Sequence, residues 1–95
     1  MPAYFVANVR VSDPKAFAEY AAQTPAVIAR YGGRFLARGG QVGFTEGAWT
    51  PDRFVVVEFP TMEALQRWYN SEEYQRLLQV RKRSATTDAV AVSGV

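Results

Sequence analysis

Alternation opens the chain. In Tyr4-Phe5-Val6-Ala7-Asn8-Val9-Arg10-Val11, every second residue falls on the same side. Phe5, Ala7, Val9 and Val11 share one face, and Tyr4, Val6, Asn8 and Arg10 share the other, the two-residue period of a strand. Ser12-Asp13-Pro14 follows, offering a capping carboxylate and then a proline at the first helical position, where no N–H is needed. From there Phe17, Tyr20, Ala21, Thr24, Val27, Ile28 and Tyr31 recur at helical spacing and form one apolar stripe. Pro25 lies within that stripe and predicts a kink or a fresh start, and Gly32-Gly33 provides a left-handed stop.

The second half repeats the plan. Arg34 to Arg38 reads as a second strand, and the run on to Glu46 looks extended, with Gly39-Gly40 suggesting a bulge or bend that curves it. Thr50-Pro51-Asp52 is a turn signature leading into Arg53 to Phe59, the most β-branched run and the expected central strand. Pro60-Thr61 ends that strand and caps a second helix carrying Leu65, Trp68 and Tyr69, with a Glu63 to Arg67 pair at i,i+4 spacing. Asn70-Ser71 reads as a break and recap, after which Tyr74, Leu77, Leu78 and Arg81 continue the helical period. Arg81-Lys82-Arg83 sits where a helix C-terminus favours positive charge, and that reading is preferred to a ligand patch. Residues 87–92 close the pattern as a fourth strand.

Strand, helix, strand, strand, helix, strand is the order of an α+β ferredoxin-like βαββαβ domain. Right-handed crossovers put two helices on one face of a four-stranded antiparallel sheet. The other face, with Tyr4, Val6, Leu36, Phe54 and Val56, is too apolar to face water. A second copy is its simplest cover, so a homodimer through the sheet face is expected. Residues 1–95 read as one domain, in keeping with 48% hydrophobic content in so short a chain.

Composition narrows the chemistry. The chain has no histidine and no cysteine, which removes imidazole and thiolate catalysis, disulfides and the commonest metal ligand. Scattered acids show no metal-ligand cluster, and neither a metal nor a cofactor is expected. Net charge is only +2, with basic and acidic residues interleaved, which gives no footprint for nucleic acid. No segment approaches the roughly 20 apolar residues of a membrane span, and a cytoplasmic location is expected.

Several stretches together resemble a known family: Tyr31-Gly32-Gly33-Arg34-Phe35-Leu36-Ala37-Arg38-Gly39-Gly40, then Glu58-Phe59-Pro60, then Ala64, Trp68-Tyr69 and Ser71-Glu72-Glu73-Tyr74-Gln75. They are similar to domain-of-unknown-function family 1330, a branch of the dimeric α/β-barrel superfamily, over essentially the whole chain. Where that family usually has Ser-Pro-Glu-Tyr, this chain has Ser71-Glu72-Glu73-Tyr74. The resemblance implies a ferredoxin-like protomer and a dimer whose two sheets enclose a barrel. Relatives in the wider superfamily include cofactor-independent quinone-forming monooxygenases, haem-degrading monooxygenases, chlorite-dismutase-like haem proteins and muconolactone isomerases. The missing histidine argues against haem held by an axial imidazole.

The sharpest polar set is Asn8, Arg10, Arg38 and Glu58, on strand positions otherwise expected to face an apolar interior. Alternation places Asn8 with Tyr4 and Val6, Arg38 with Leu36, and Glu58 with Phe54 and Val56. Were those faces to coincide, Arg38 would hold a small acid or phenol, Asn8 would polarise a carbonyl, and Glu58 would move a proton. The competing reading is an Arg38–Glu58 ion pair across the second and third strands. Trp68, Tyr69 and Tyr74, with Tyr20 and Tyr31, are candidates to roof a pocket or, more simply, to fill the core. Ser71 has no evident base and reads as a cap, and Trp49, in a turn, wants cover from a partner or pocket mouth. Two functions follow. One is a cofactor-independent isomerase or monooxygenase acting on a small aromatic or carbonyl compound in the barrel. The other is a non-catalytic small-molecule-binding or structural dimer module.

Overall fold

The computed structural model describes residues 1–95. Its elements are β1 (Ala3–Val11), α1 (Pro14–Arg30), β2 (Arg34–Arg38), β3 (Arg53–Phe59), α2 (Met62–Asn70), α3 (Glu72–Ser84) and β4 (Ala85–Ser93). The strands form one antiparallel sheet in the order β2-β3-β1-β4. This is the ferredoxin-like α+β arrangement, with the second helical stretch divided in two. The division follows from capping. Thr61 Oγ1 accepts from the Ala64 N–H at the start of α2, and Ser71 Oγ accepts from the Tyr74 N–H at the start of α3. Asp13 caps α1 in the same way through the Ala16 N–H. The Glu63–Arg67 pair does not form; the i,i+4 pair on this face of the sheet is Glu72–Arg76.

The core lies between the sheet and the helices. Ala3, Phe5, Ala7 and Val9 of β1 and Val57 and Phe59 of β3 meet Val27 and Ile28 of α1, Leu65 and Trp68 of α2, and Tyr74, Leu77 and Leu78 of α3. Gly32 takes the positive φ that the end of α1 requires. Gly33 brings the chain so close to the core that a Cβ there would lie 2.6 Å from Phe59 and 2.7 Å from Ile28.

Three expectations are corrected. Helix α1 runs unbroken through Pro25. Proline there deprives the Ala21 carbonyl of its helical donor. The Arg38 guanidinium supplies one instead, with Nη2 donating to Ala21 O at 2.7 Å. The second strand stops at Arg38 rather than running on to Glu46. Gly39 turns away at positive φ after its N–H donates to Phe54 O, and residues 40–50 are exposed with no strand partner. The bulge is real but lies earlier: Phe35 opposes Val57 and Ala37 opposes Val56, so Leu36 is the extra residue.

The sheet face away from the helices is uncovered in a single chain. Leu36, Val90 and Val92 are each about half exposed, and Trp49 folds over it with its ring 5.6 Å from that of Phe54. No helix is long and apolar enough to cross a membrane.

Candidate functional site

The bulge at Leu36 decides which side Arg38 serves. One inserted residue flips every following side chain of a strand. Arg38 therefore shares the helix face with Phe35, opposite Val55, and not the open face with Asn8 and Glu58. The predicted convergence of Asn8, Arg38 and Glu58 does not occur. Asn8 binds Asp52, accepting from its backbone N–H at 2.8 Å, and Arg10 Nε reaches the Asp52 carboxylate at 3.3 Å. Glu58 accepts from Tyr4 Oη at 3.1 Å and pairs with Arg34 Nη2 at 2.9 Å. The ion pair across β2 and β3 thus exists, but its arginine is Arg34. The hydrogen bond to Glu58 raises the Tyr4 pKa.

On the open face, Val6, Asn8, Trp49, Phe54, Asp88 and Val90 line a shallow groove that includes neither Arg38 nor Glu58. The better-formed cleft is on the helix side. It lies between α1 and the sheet, holds about 40 Å³, and is lined by 15 residues of which 11 are hydrophobic. Phe5, Val9, Val55 and Val57 of the sheet face Phe17, Ala21 and Ile28 of α1 across it, with Trp68 in the wall. The charged residues on its lining are Arg38, Arg53 and Arg81, and no acid lines it.

Arg81 lies in the last turn of α3 with Lys82 and Arg83, where its sequence predicts it, and on the stripe of Tyr74, Leu77 and Leu78 it is only 7% exposed. Its Nη1 donates to Tyr74 Oη at 3.0 Å, and Tyr74 and Tyr20 share a 2.7 Å hydrogen bond between their hydroxyls. Burial is the largest influence on this guanidinium and opposes its charge, but Tyr74 and Tyr20 together hold its pKa above the ordinary value. Burial, helped by Tyr20, drives the Tyr74 phenol up as well, against the pull of Arg81. The Tyr74 hydroxyl is therefore neutral, and it is linked to the cleft only through its hydrogen bonds with Tyr20 and Arg81, which line it. The signal for Arg81 was present in its spacing: it continues the stripe of Tyr74, Leu77 and Leu78, the face that packs on the core. Arg53, likewise unanticipated, reaches over the Phe17 ring with its guanidinium carbon 5.5 Å from the centroid.

The aromatic candidates divide. Trp68 and Tyr74 are fully buried, Trp68 lining the cleft and Tyr74 standing behind it, while Tyr69 and Tyr31 are partly buried against the core and do not line the cleft. Three buried polar atoms have no hydrogen-bond partner, and two of them, Trp68 Nε1 and Arg81 Nε, belong to cleft-lining residues. Both are N–H donors buried beside the cleft, and no acid on its lining is there to receive them.

The architecture is that of ferredoxin-like proteins, and solved structures bear this out. A protein of unknown function from Rhodopseudomonas palustris superposes with a TM-score of 0.72 at 18% identity, covering 99% of this chain and 82% of that one. SnoaB, a cofactor-independent oxygenase from Streptomyces nogalater, superposes at 0.68 with 17% identity, covering 99% and 93%. A dimeric ferredoxin-like protein of unknown function from Thermobifida fusca gives 0.60 at 14% identity, covering 99% and 92%. At these identities the likeness is one of fold. The family itself is defined by sequence: residues 2–95 match Domain of unknown function (DUF1330), and the chain belongs to that family. No curated protein matches the sequence.

Proposed function

We propose that the protein binds and transforms a small aromatic or carbonyl compound in the cleft between α1 and the sheet, working as a dimer and without a cofactor. The observation that carries this reading is the cleft itself: a mostly apolar cleft lined by Tyr20 and the buried Arg81, with two unmet N–H donors of its lining residues buried beside it. The likeness in fold to SnoaB supports an oxygenase among the possible chemistries. In such a reaction a CH₂ beside a carbonyl becomes a second carbonyl, dioxygen supplies the new oxygen, and the other oxygen atom leaves as water with the two hydrogens. Isomerisation by moving one proton needs no co-substrate. Either route develops negative charge on a substrate oxygen, and Arg81 and the Trp68 N–H are the groups of this chain that would stabilise it. A second reading, a dimer that only holds such a molecule, is favoured by the lack of any carboxylate base on the cleft.

Assembly follows from the open face. Its exposed Leu36, Val90 and Val92, with Tyr4, Val6 and Val56 between them, form the surface on which a second copy packs to enclose a barrel.

A melting-temperature screen against aromatic ketones, phenols, quinones and small carboxylates, with oxygen uptake followed in parallel, tests the reading. A ligand that binds only the folded state raises the melting temperature. Ala21→Leu, which fills the cleft, is expected to remove that rise; a rise that survives Ala21→Leu would place the ligand elsewhere. Oxygen uptake without added cofactor separates the enzyme from the binding module.

A further inference from the structure

The charges around the cleft indicate what kind of molecule enters it. Of the chain's nine arginines, Arg10, Arg30, Arg34 and Arg76 are each paired with a carboxylate. The three on the cleft are not. Arg38 is spent on a backbone carbonyl and the Phe35 ring, Arg53 on the Phe17 ring, and Arg81 on a phenol oxygen. Each is a neutral partner weaker than a carboxylate. Two donors of lining residues, Arg81 Nε and Trp68 Nε1, are buried beside the cleft with no acceptor at all. A cleft with three positive charges, two unmet donors and no acid is complementary to an oxyanion.

From this we infer that the ligand is a small carboxylate with an apolar aromatic or aliphatic body. The inference rests on the cleft being the ligand site. The carboxylate would meet the Arg81 and Trp68 donors while the body packs on Val55, Val57 and Ile28. At about 40 Å³ the resting cleft has room for only a few water molecules, so α1 must give way on binding. Its weakest point is built in. At Pro25 the helix lacks its own hydrogen bond, and the Ala21 carbonyl is held by Arg38 alone. Arg38 is thus a specificity-determining residue: moving its guanidinium from Ala21 to the ligand both loosens the wall and adds a charge-assisted bond.

Titration with phenylacetate and with its neutral isostere phenylacetamide, followed by methyl NMR, tests this. Phenylacetate is expected to shift the Val9, Ile28, Val55 and Val57 methyls and to bind about tenfold more tightly than the amide, or better. Arg38→Gln and Arg53→Gln should each reduce the preference for phenylacetate over the amide several-fold. Arg81→Lys should weaken it further, and because Arg81 is buried the two outer variants carry the test if that variant does not fold. Equal affinity for acid and amide, with the same methyls shifting, would overturn the carboxylate inference and leave the cleft as the ligand site. Shifts confined to Val6, Val56 and Val90 on the open face would overturn the cleft reading as well. Absence of any shift with phenylacetate overturns the carboxylate inference, and the cleft then stands or falls on the melting-temperature screen.

Discussion

Gly33 shows how little slack the core has at the turn out of α1. A methyl group there would press on Phe59 and Ile28, both buried. Gly33→Ala is expected to destabilise the fold by about 1–3 kcal/mol, read by urea denaturation, because the Phe59 and Ile28 side chains would both have to shift to admit the methyl group. Tyr74 makes a different prediction. Its pKa, like that of Tyr4, lies above the ordinary value of 10.0. The unfolded chain therefore releases these protons at lower pH than the folded one does. Their contribution to stability is complete below that value and is lost as pH rises beyond it. Unfolding free energy measured between about pH 8 and about pH 11 should be flat at first and then fall, and Tyr74→Phe should flatten part of that fall. A curve that rises with pH would contradict the assignment.

Among elements, α1 and β2 depend on each other through one hydrogen bond. Arg38→Gln removes the donor that replaces the proline's missing N–H and should cost about 1 kcal/mol. In a Pro25→Ala background the residue at 25 supplies its own N–H to Ala21, and the cost of Arg38→Gln should shrink. A double-mutant cycle with no coupling would show that Arg38 does not serve this carbonyl. What could be read from the sequence divides at the same place. Asp13, Thr61, Ser71 and Gly32 announced their caps and stop because capping involves residues only a few positions apart. The bulge at Leu36 was not readable, because it is set by how β2 aligns with β3, and it turned Arg38 away from the site first drawn for it. Residues 40–46 read as extended, but pairing requires a neighbour, and β3 begins only at Arg53, across from where Gly39 ends the ladder. Arg81 was legible both on the stripe of Tyr74, Leu77 and Leu78 and as a charge at a helix C-terminus; its hydrogen bond to Tyr74 Oη was not, because that depends on how the side chains pack.

At the scale of the whole molecule, one sheet face is packed and the other waits for cover. The apolar residues there are spread across three strands, Leu36 on β2, Val56 on β3 and Val90 with Val92 on β4, so a second copy would bury a continuous surface. Light scattering should give twice the 10.6 kDa chain mass at micromolar concentration, and Val90→Arg should shift the mass toward the monomer. A wild-type monomer under those conditions would contradict the pairing. The cleft lies on the opposite side of the sheet from this surface, so pairing through it would leave a complete cleft in each chain. The most direct test of the account is a structure of the protein with phenylacetate bound. The account predicts its ring between α1 and β3, against Ile28 and Val55, with its carboxylate at Arg81. A ring seated instead on the open face, among Asn8, Trp49 and Val90, would contradict it.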